Sequence, residues 1–210
     1  MTDYDPKYWK KKISYYSYAE WSNKPLPFAI EAEKYFSGKR VLELGAGAGQ
    51  DSIWFDSKGY DVTVSDGDDS FFDAIKSKTS QKATFIQLDV KEPFPFEDSL
   101  FDVVYAHLVL HYFNDETMKQ IVSEIRRVLV KGGVLACMVN SVNDPEFDSS
   151  KADKDNVIII NGLKKRFFSK ESFKRYFGDF EIILCDEKGR TPKDDALDTT
   201  GLVRLIARLK

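Results

Sequence analysis

Residues 41–51 read VLELGAGAGQD, with glycines at 45, 47 and 49 and carboxylates at 43 and 51. In regular structure glycine costs roughly 0.5–1 kcal/mol relative to alanine, so this spacing points to positive φ or to a ligand lying against bare backbone. VLEL reads as a strand, and the residues from Gln50 onward open a helix whose free N–H groups face the turn. Two ligand chemistries use such a turn. A dinucleotide sets its pyrophosphate on the helix N-terminus behind G-x-G-x-x-G. Here the third position of that pattern is Gln50, and Glu43 and Asp51 repel phosphate. The same acids attract an ammonium or a sulfonium, so the stretch predicts a cationic ligand.

Further candidates lie downstream. Asp66 stands about 20 residues beyond the turn, where a carboxylate can take both hydroxyls of a ribose. His107 and His111 are four apart in YAHLVLHYF, and a helix there turns both to one side. An imidazole with a pKa of about 6.5 accepts a proton from a hydroxyl, amine or thiol nucleophile. His111 is the preferred base of the two. A zinc pair finds no third ligand pattern. Lys164, Lys165, Arg166 and Arg190 offer paired donors to an anionic acceptor, with Arg166, beside two aromatics, foremost. The segment YWKKKISYYSYAEWSNKP carries Tyr8, Trp9, Tyr15, Tyr16, Tyr18 and Trp21. Aromatic faces attract a sulfonium, and the segment is expected to fold over the ligand as a lid.

The elements that must position these residues alternate. Strand-like apolar runs occupy 40–44, 61–65, 83–88, 101–106 and 134–139, with helical patterns between them. In the last of these, Ile121, Val122, Ile125, Val128 and Leu129 form an apolar face. Asn114 or Asp115 is expected to cap that helix, and Gly132-Gly133 to end it in a left-handed turn. A further helix begins near Pro25 to Pro27 and stops at Gly38. Strands alternating with helices mean an α/β fold with a parallel sheet covered on both faces. Ser169 caps a helix in FSKESFKRYFG, after which FEIILCD and GLVRLIARL read as an antiparallel pair closing the sheet edge.

The E-x-G-x-G-x-G spacing of Glu43, Gly45, Gly47 and Gly49 resembles the first motif of class I S-adenosylmethionine-dependent methyltransferases, whose turn holds the methionine part of the cofactor. QLDV at 87–90 places Asp89 where that family holds the adenine amino group. RRVLVKGGVL at 126–135 resembles the family's R-x-L-K-P-G-G signature, with Val130 and Lys131 at the usual Lys-Pro positions. Within the family the chain most resembles small-molecule methyltransferases of the tellurite-resistance type. It shares their GYDVTVSD strand, an FFSKESF helix start and a closing LVRLIARLK, and departs from them over 140–166. The resemblance implies a Rossmann-like, doubly wound seven-stranded sheet, mostly parallel with an antiparallel strand at the C-terminal edge. It implies S-adenosyl-L-methionine as cofactor, S-adenosyl-L-homocysteine as product and in-line methyl transfer to a small-molecule acceptor. The implied cofactor site comprises Glu43, Gly45, Ala46, Gly47, Asp51, Asp66, Gly67, Asp89, Val90 and Ala106, and the sulfonium meets the substrate pocket near His107 and His111. No metal is implied.

A chain of 210 residues suits one domain, read as residues 25–210 behind an extension at 1–24. A net charge of -3 speaks against a large nucleic-acid footprint and against DNA as partner. Amino-methyltransferases of nucleic acids carry Asp/Asn-Pro-Pro-aromatic after the fourth strand, where this chain reads AHLVLH. Cys137 and Cys185 sit in apolar runs, unlike the nucleophile of a cytosine C5 enzyme. The alternatives are an RNA or protein methyltransferase, or a non-catalytic cofactor-binding module. Buried thiols, no apolar run near ~18 residues and no apolar signal core lead to the expectation of a cytoplasmic protein without a membrane partner. Nothing in the sequence bears on oligomeric state.

Overall fold

The computed structural model describes residues 6–16, 23–191 and 201–210. Seven strands form one sheet: β1 (Arg40–Leu44), β2 (Asp61–Asp66), β3 (Thr84–Gln87), β4 (Phe101–His107), β5 (Leu129–Asn140), β8 (Phe180–Gly189) and β9 (Leu202–Leu209). Their order is β3-β2-β1-β4-β5-β9-β8. β1 to β5 pair in parallel, and the order reverses between β1 and β4, which places a crevice at their carboxyl ends.

Successive residues of the central strands feed two cores, as the period of two requires. Val41, Val103, Tyr105, Val134 and Ala136 enter one core with Phe28 and Ala32 of α2 (Pro27–Glu33), Phe55 of α3 (Gln50–Ser57) and Ile75 of α4 (Phe72–Lys76). Leu42, Leu44, Val104, Ala106, Leu135 and Cys137 enter the other with Met118, Ile121 and Ile125 of α5 (Asp115–Val128) and Phe173 of α6 (Lys170–Lys174). Runs without polar alternation are thus strands covered on both faces. The helix expected to reach from Pro25–Pro27 to Gly38 is shorter: α2 ends at Glu33, and Gly38, with φ +98°, turns the chain into β1.

Asn114 caps α5, accepting the Thr117 N–H at 2.9 Å, and Ser169 caps α6, accepting the Ser172 N–H at 3.1 Å. The glycine pair after α5 does not end it. β5 begins at Leu129 directly, and Gly132 (φ +79°) lies inside the strand, where the pairing jumps from Phe101–Leu129 to Val103–Val134. A Cβ on Gly133 meets the Val130 carbonyl oxygen at 2.8 Å and that of Asp102 at 3.1 Å, so the pair accommodates a bulge pressed against β4. Arg127 of the same signature holds the loop ahead of β4, donating to the carbonyls of Phe94 and Phe96 and pairing with Asp98 and Glu124.

The antiparallel pair is present, with β9 slotted between β5 and β8 so that β8 forms the outer edge. A second, two-stranded antiparallel sheet, β6 (Val157–Ile160) with β7 (Leu163–Arg166), lies within 140–166, the stretch that departs from the tellurite-resistance type. Asn161-Gly162 turns it, both with positive φ. The N-terminal extension contains helix α1 (Pro6–Tyr16).

Candidate cofactor-binding site

The glycine turn sits at the crevice. Gly45, Gly47 and Gly49 have φ of +69°, +55° and +75°. At Gly45 a Cβ comes within 2.4 Å of Val109 Cγ2, and at Gly49 within 2.5 Å of Ile75 Cδ1, so both also meet close neighbours. Three N–H groups of the turn are engaged within the protein. Ala46 donates to the Ser65 carbonyl at 2.9 Å, Gly47 to Asp66 Oδ2 at 2.8 Å and Gly49 to the Ala46 carbonyl at 2.8 Å.

A cavity of about 160 Å³ opens on this turn, lined by Glu43, Gly45, Ala46, Gly47, Ala48, Gln50, Asp51 and His107, with Ile13 of α1 and Leu26 closing it. Glu43 and Asp51 are 3% and 2% exposed. Glu43 accepts from Ser52 Oγ, while Asp51 accepts the Leu26 N–H and the Tyr105 hydroxyl, each at 2.8 Å. Burial raises the pKa of both acids, and the charge of Asp51 raises Glu43 further. Burial, together with these two acids, also keeps the Tyr105 phenol protonated as the donor. No lysine or arginine lines the cavity among the described residues. The pair is therefore two buried acids without a basic side chain beside them in the described lining.

Asp66 ends β2, its Oδ2 on Gly47 and its Oδ1 on the Asp68 N–H at 3.0 Å. Burial raises its pKa, which the two N–H groups partly offset. Each oxygen has a second lone pair. Asp68, rather than Asp66, caps the next turn through the Ser70 N–H. Gly67 follows, its carbonyl accepting from Gln87 Nε2 at 3.0 Å. Asp89, exposed beyond β3, accepts the Lys91 N–H and pairs with its ammonium at 3.2 Å; Val90 is buried. The side chain of Ala106 belongs to the core, in line with Leu44 and Cys137.

The two histidines do not share a helix face. β4 runs through His107, which pairs with Met138, and Leu108 has φ +56°, which ends the strand and admits no helix. His111 lies in a 3-10 turn over Leu110–Tyr112, 1% exposed, its ring 4.1 Å from that of Tyr112. Burial lowers the pKa of His107 to about 4. Its Nε2 is shut from solvent and has no hydrogen-bond partner among the described residues.

Of the expected lid, Ile13 lies 3.7 Å from a Cβ built on Gly47, and Trp9 packs edge-on against Tyr112 with ring centroids 5.0 Å apart. Tyr18, Trp21 and the side chains of Tyr15 and Tyr16 lie outside the described residues. Two members of the basic group, Lys165 and Arg166, are engaged elsewhere. Lys165, 8% exposed, pairs with Glu146 at 2.5 Å. Arg166 donates to Tyr176 Oη at 2.7 Å and lies over the rings of Phe168 and Tyr176. Sequence reasoning missed Ser52, Tyr105 and Leu26. Tyr105 alone carried a signal, a hydroxyl inside a buried strand that needs a partner.

Residues 42–137 match the family model described as a methyltransferase domain. Over these residues the chain is similar to methyltransferase domains. Phosphoethanolamine N-methyltransferase 1 of Triticum aestivum is 28% identical over 162 residues, covering 73% of this chain and 32% of its own length. TehB of Haemophilus influenzae is 25% identical over 175 residues, covering 79% of this chain and 54% of its own. The chain thus spans from a third to about half the length of these two relatives. Among solved structures, the fold resembles that of Burkholderia thailandensis 1,6-didemethyltoxoflavin-N1-methyltransferase with bound 1,6-didemethyltoxoflavin and S-adenosylhomocysteine. The TM-score is 0.72 at 17% identity, covering 97% of this chain and 87% of that one. The residues of the matched stretch fit the cofactor that the resemblance implies: bare backbone at the turn, two buried acids for an ammonium, and Asp66 with lone pairs to spare. No helix among the described residues is long and apolar enough to cross a membrane.

Proposed function

We propose that this protein transfers the methyl group of S-adenosylmethionine to a small-molecule acceptor by in-line displacement, in the cytoplasm. The observation that carries the reading is the buried Glu43–Asp51 pair beside three left-handed glycines, in a cavity whose described lining holds no lysine or arginine. Glu43 and Asp51 take the ammonium end, the backbone of Gly45, Ala46 and Gly47 lies along the methionine part, and Asp66 takes the ribose hydroxyls. Asp89 receives the adenine amino group, with Gly67 and Val90 beside it, and Ala106 closes the floor. When bound, the cofactor supplies a methyl group on a positively charged sulfur. Alignment of the acceptor and exclusion of water are the protein's main contributions. His111, at the turn past β4, accepts the proton of the acceptor. α1, with Ile13 over the turn and Trp9 on Tyr112, serves as the lid over the site. Both the wheat relative and the Burkholderia neighbour are named for small nitrogen acceptors, which favours that class here.

Incubation with S-adenosylmethionine and a panel of amines, thiols, oxyanions and hydroxy compounds tests this. An acceptor-dependent release of S-adenosylhomocysteine is expected, reduced about 10²-fold or more in His111→Ala. Binding of the methyl donor without turnover on any acceptor makes the protein a cofactor-binding module, and full activity of the variant across pH removes the base.

A further inference from the structure

Glu43 and Asp51 account for the positive end of an amino acid and leave its negative end without a complement. The N–H groups of Ala46, Gly47 and Gly49 are bonded inside the protein, which leaves the backbone at the start of α3, and no lysine or arginine stands in the described wall. One side chain of the described lining has a buried polar atom that is unmatched. His107 Nε2 is buried and without a hydrogen-bond partner among the described residues. A buried polar group left unmet is destabilising, and native proteins rarely tolerate one without a role. We propose that His107 is a cofactor-binding residue whose Nε2–H donates to the carboxylate of the methionine part, a task for which the described lining holds no lysine or arginine. The inference rests on the proposed use of S-adenosylmethionine and assigns His107 a task different from that of His111.

The physical chemistry of the imidazole suits this task. Burial keeps it neutral at pH 7, so it is a poor proton acceptor there and adds no repulsion toward the sulfonium. A neutral imidazole still carries one N–H, and an anionic acceptor facing Nε2 selects the tautomer protonated at that nitrogen. Its place is fixed by β4, where its backbone pairs with Met138, and by Phe28, whose ring centroid is 6.5 Å away. A hydrogen bond to a charged group in such a site contributes about tenfold or more to affinity.

Calorimetry on the full chain with two ligands tests the assignment. One is S-adenosylhomocysteine; the other is S-adenosyl-3-thiopropylamine, which keeps the ammonium and lacks the carboxylate. His107→Ala is expected to weaken the first about tenfold and the second less than twofold, and His107→Gln, which retains a donor, to recover most of the loss. The ratio of the two affinities is read on one preparation, so a partly unfolded variant does not disturb it. Equal weakening of both ligands, or none, overturns the assignment. Parent protein that binds neither ligand overturns the cofactor reading itself, an outcome distinct from a changed ratio.

Discussion

Gly47 and Gly49 share a backbone conformation and differ in surroundings. At Gly49 a side chain faces both a left-handed φ and Ile75 at 2.5 Å; at Gly47 the nearest atom, Ile13 Cδ1, is 3.7 Å away on the far wall of the cavity. A left-handed alanine costs about 1–2 kcal/mol, and overpacking adds about 1–3 kcal/mol. Gly49→Ala is therefore expected to lower stability by roughly 2–4 kcal/mol in urea unfolding. Gly47→Ala is expected to cost about 1 kcal/mol while narrowing the space for a ligand, so that its main effect is on S-adenosylhomocysteine affinity. Equal stability losses in the two variants contradict this account. At this scale the sequence showed the turn because glycine spacing is local. It did not show that Leu108 adopts φ +56°, since no glycine or asparagine marks the position, and so the four-residue spacing of His107 and His111 read as a helix.

Elements were legible where burial imposes a period. The central strands carry apolar residues on both faces because both faces are covered, and α5 repeats its apolar residues at three and four. The hairpin of β6 and β7 escaped because its packing is set from outside: Leu163 and Lys165 are buried while Lys164 and Arg166 are half-buried, and the sequence around them is rich in charge. Gly132-Gly133 matched a helix stop in sequence, but the backbone of Asp102 and Val130 that presses on Gly133 comes from the fold. α1 is the element whose role is most testable. It touches the rest of the site through Ile13 and through Trp9 on Tyr112, and neither contact is needed to complete the sheet. Removal of residues 1–22 is expected to leave the circular dichroism and thermal transition of the remainder near those of the parent and to weaken S-adenosylhomocysteine at least tenfold. A truncated protein with parental affinity excludes the lid.

For the molecule as a whole, pH sets two groups of acids against each other. Asp102, hydrogen-bonded by Arg40, and Glu124, hydrogen-bonded by Arg127, have lowered pKa values. Their contribution to stability is present above the ordinary carboxylate range and is lost as pH falls through the lowered values. Glu43 and Asp51 have raised values, so their contribution is complete below the ordinary range and is lost as pH rises through the raised ones. The difference between Glu43→Gln and the parent reports the share of Glu43 in the second group. The variant is expected to gain on the parent, by on the order of 1 kcal/mol, as pH rises from about 4.5 past neutrality without ligand. With S-adenosylhomocysteine present the gain should reverse, because the bound ammonium favours the ionised acid. Parallel melting profiles of the two proteins across that range exclude a protonated pair.

The position of β9 bears on how the sheet closes. Six of the seven strands of the large sheet precede it in the sequence, yet its neighbours are β5 and β8. Without β9, β5 has no partner on its outer side and β8 has none in the described sheet. A chain in which β9 has not yet docked therefore exposes two hydrogen-bonding edges, and those edges invite pairing with other chains. Insertion of this one strand joins both, which makes its docking the step that closes the sheet.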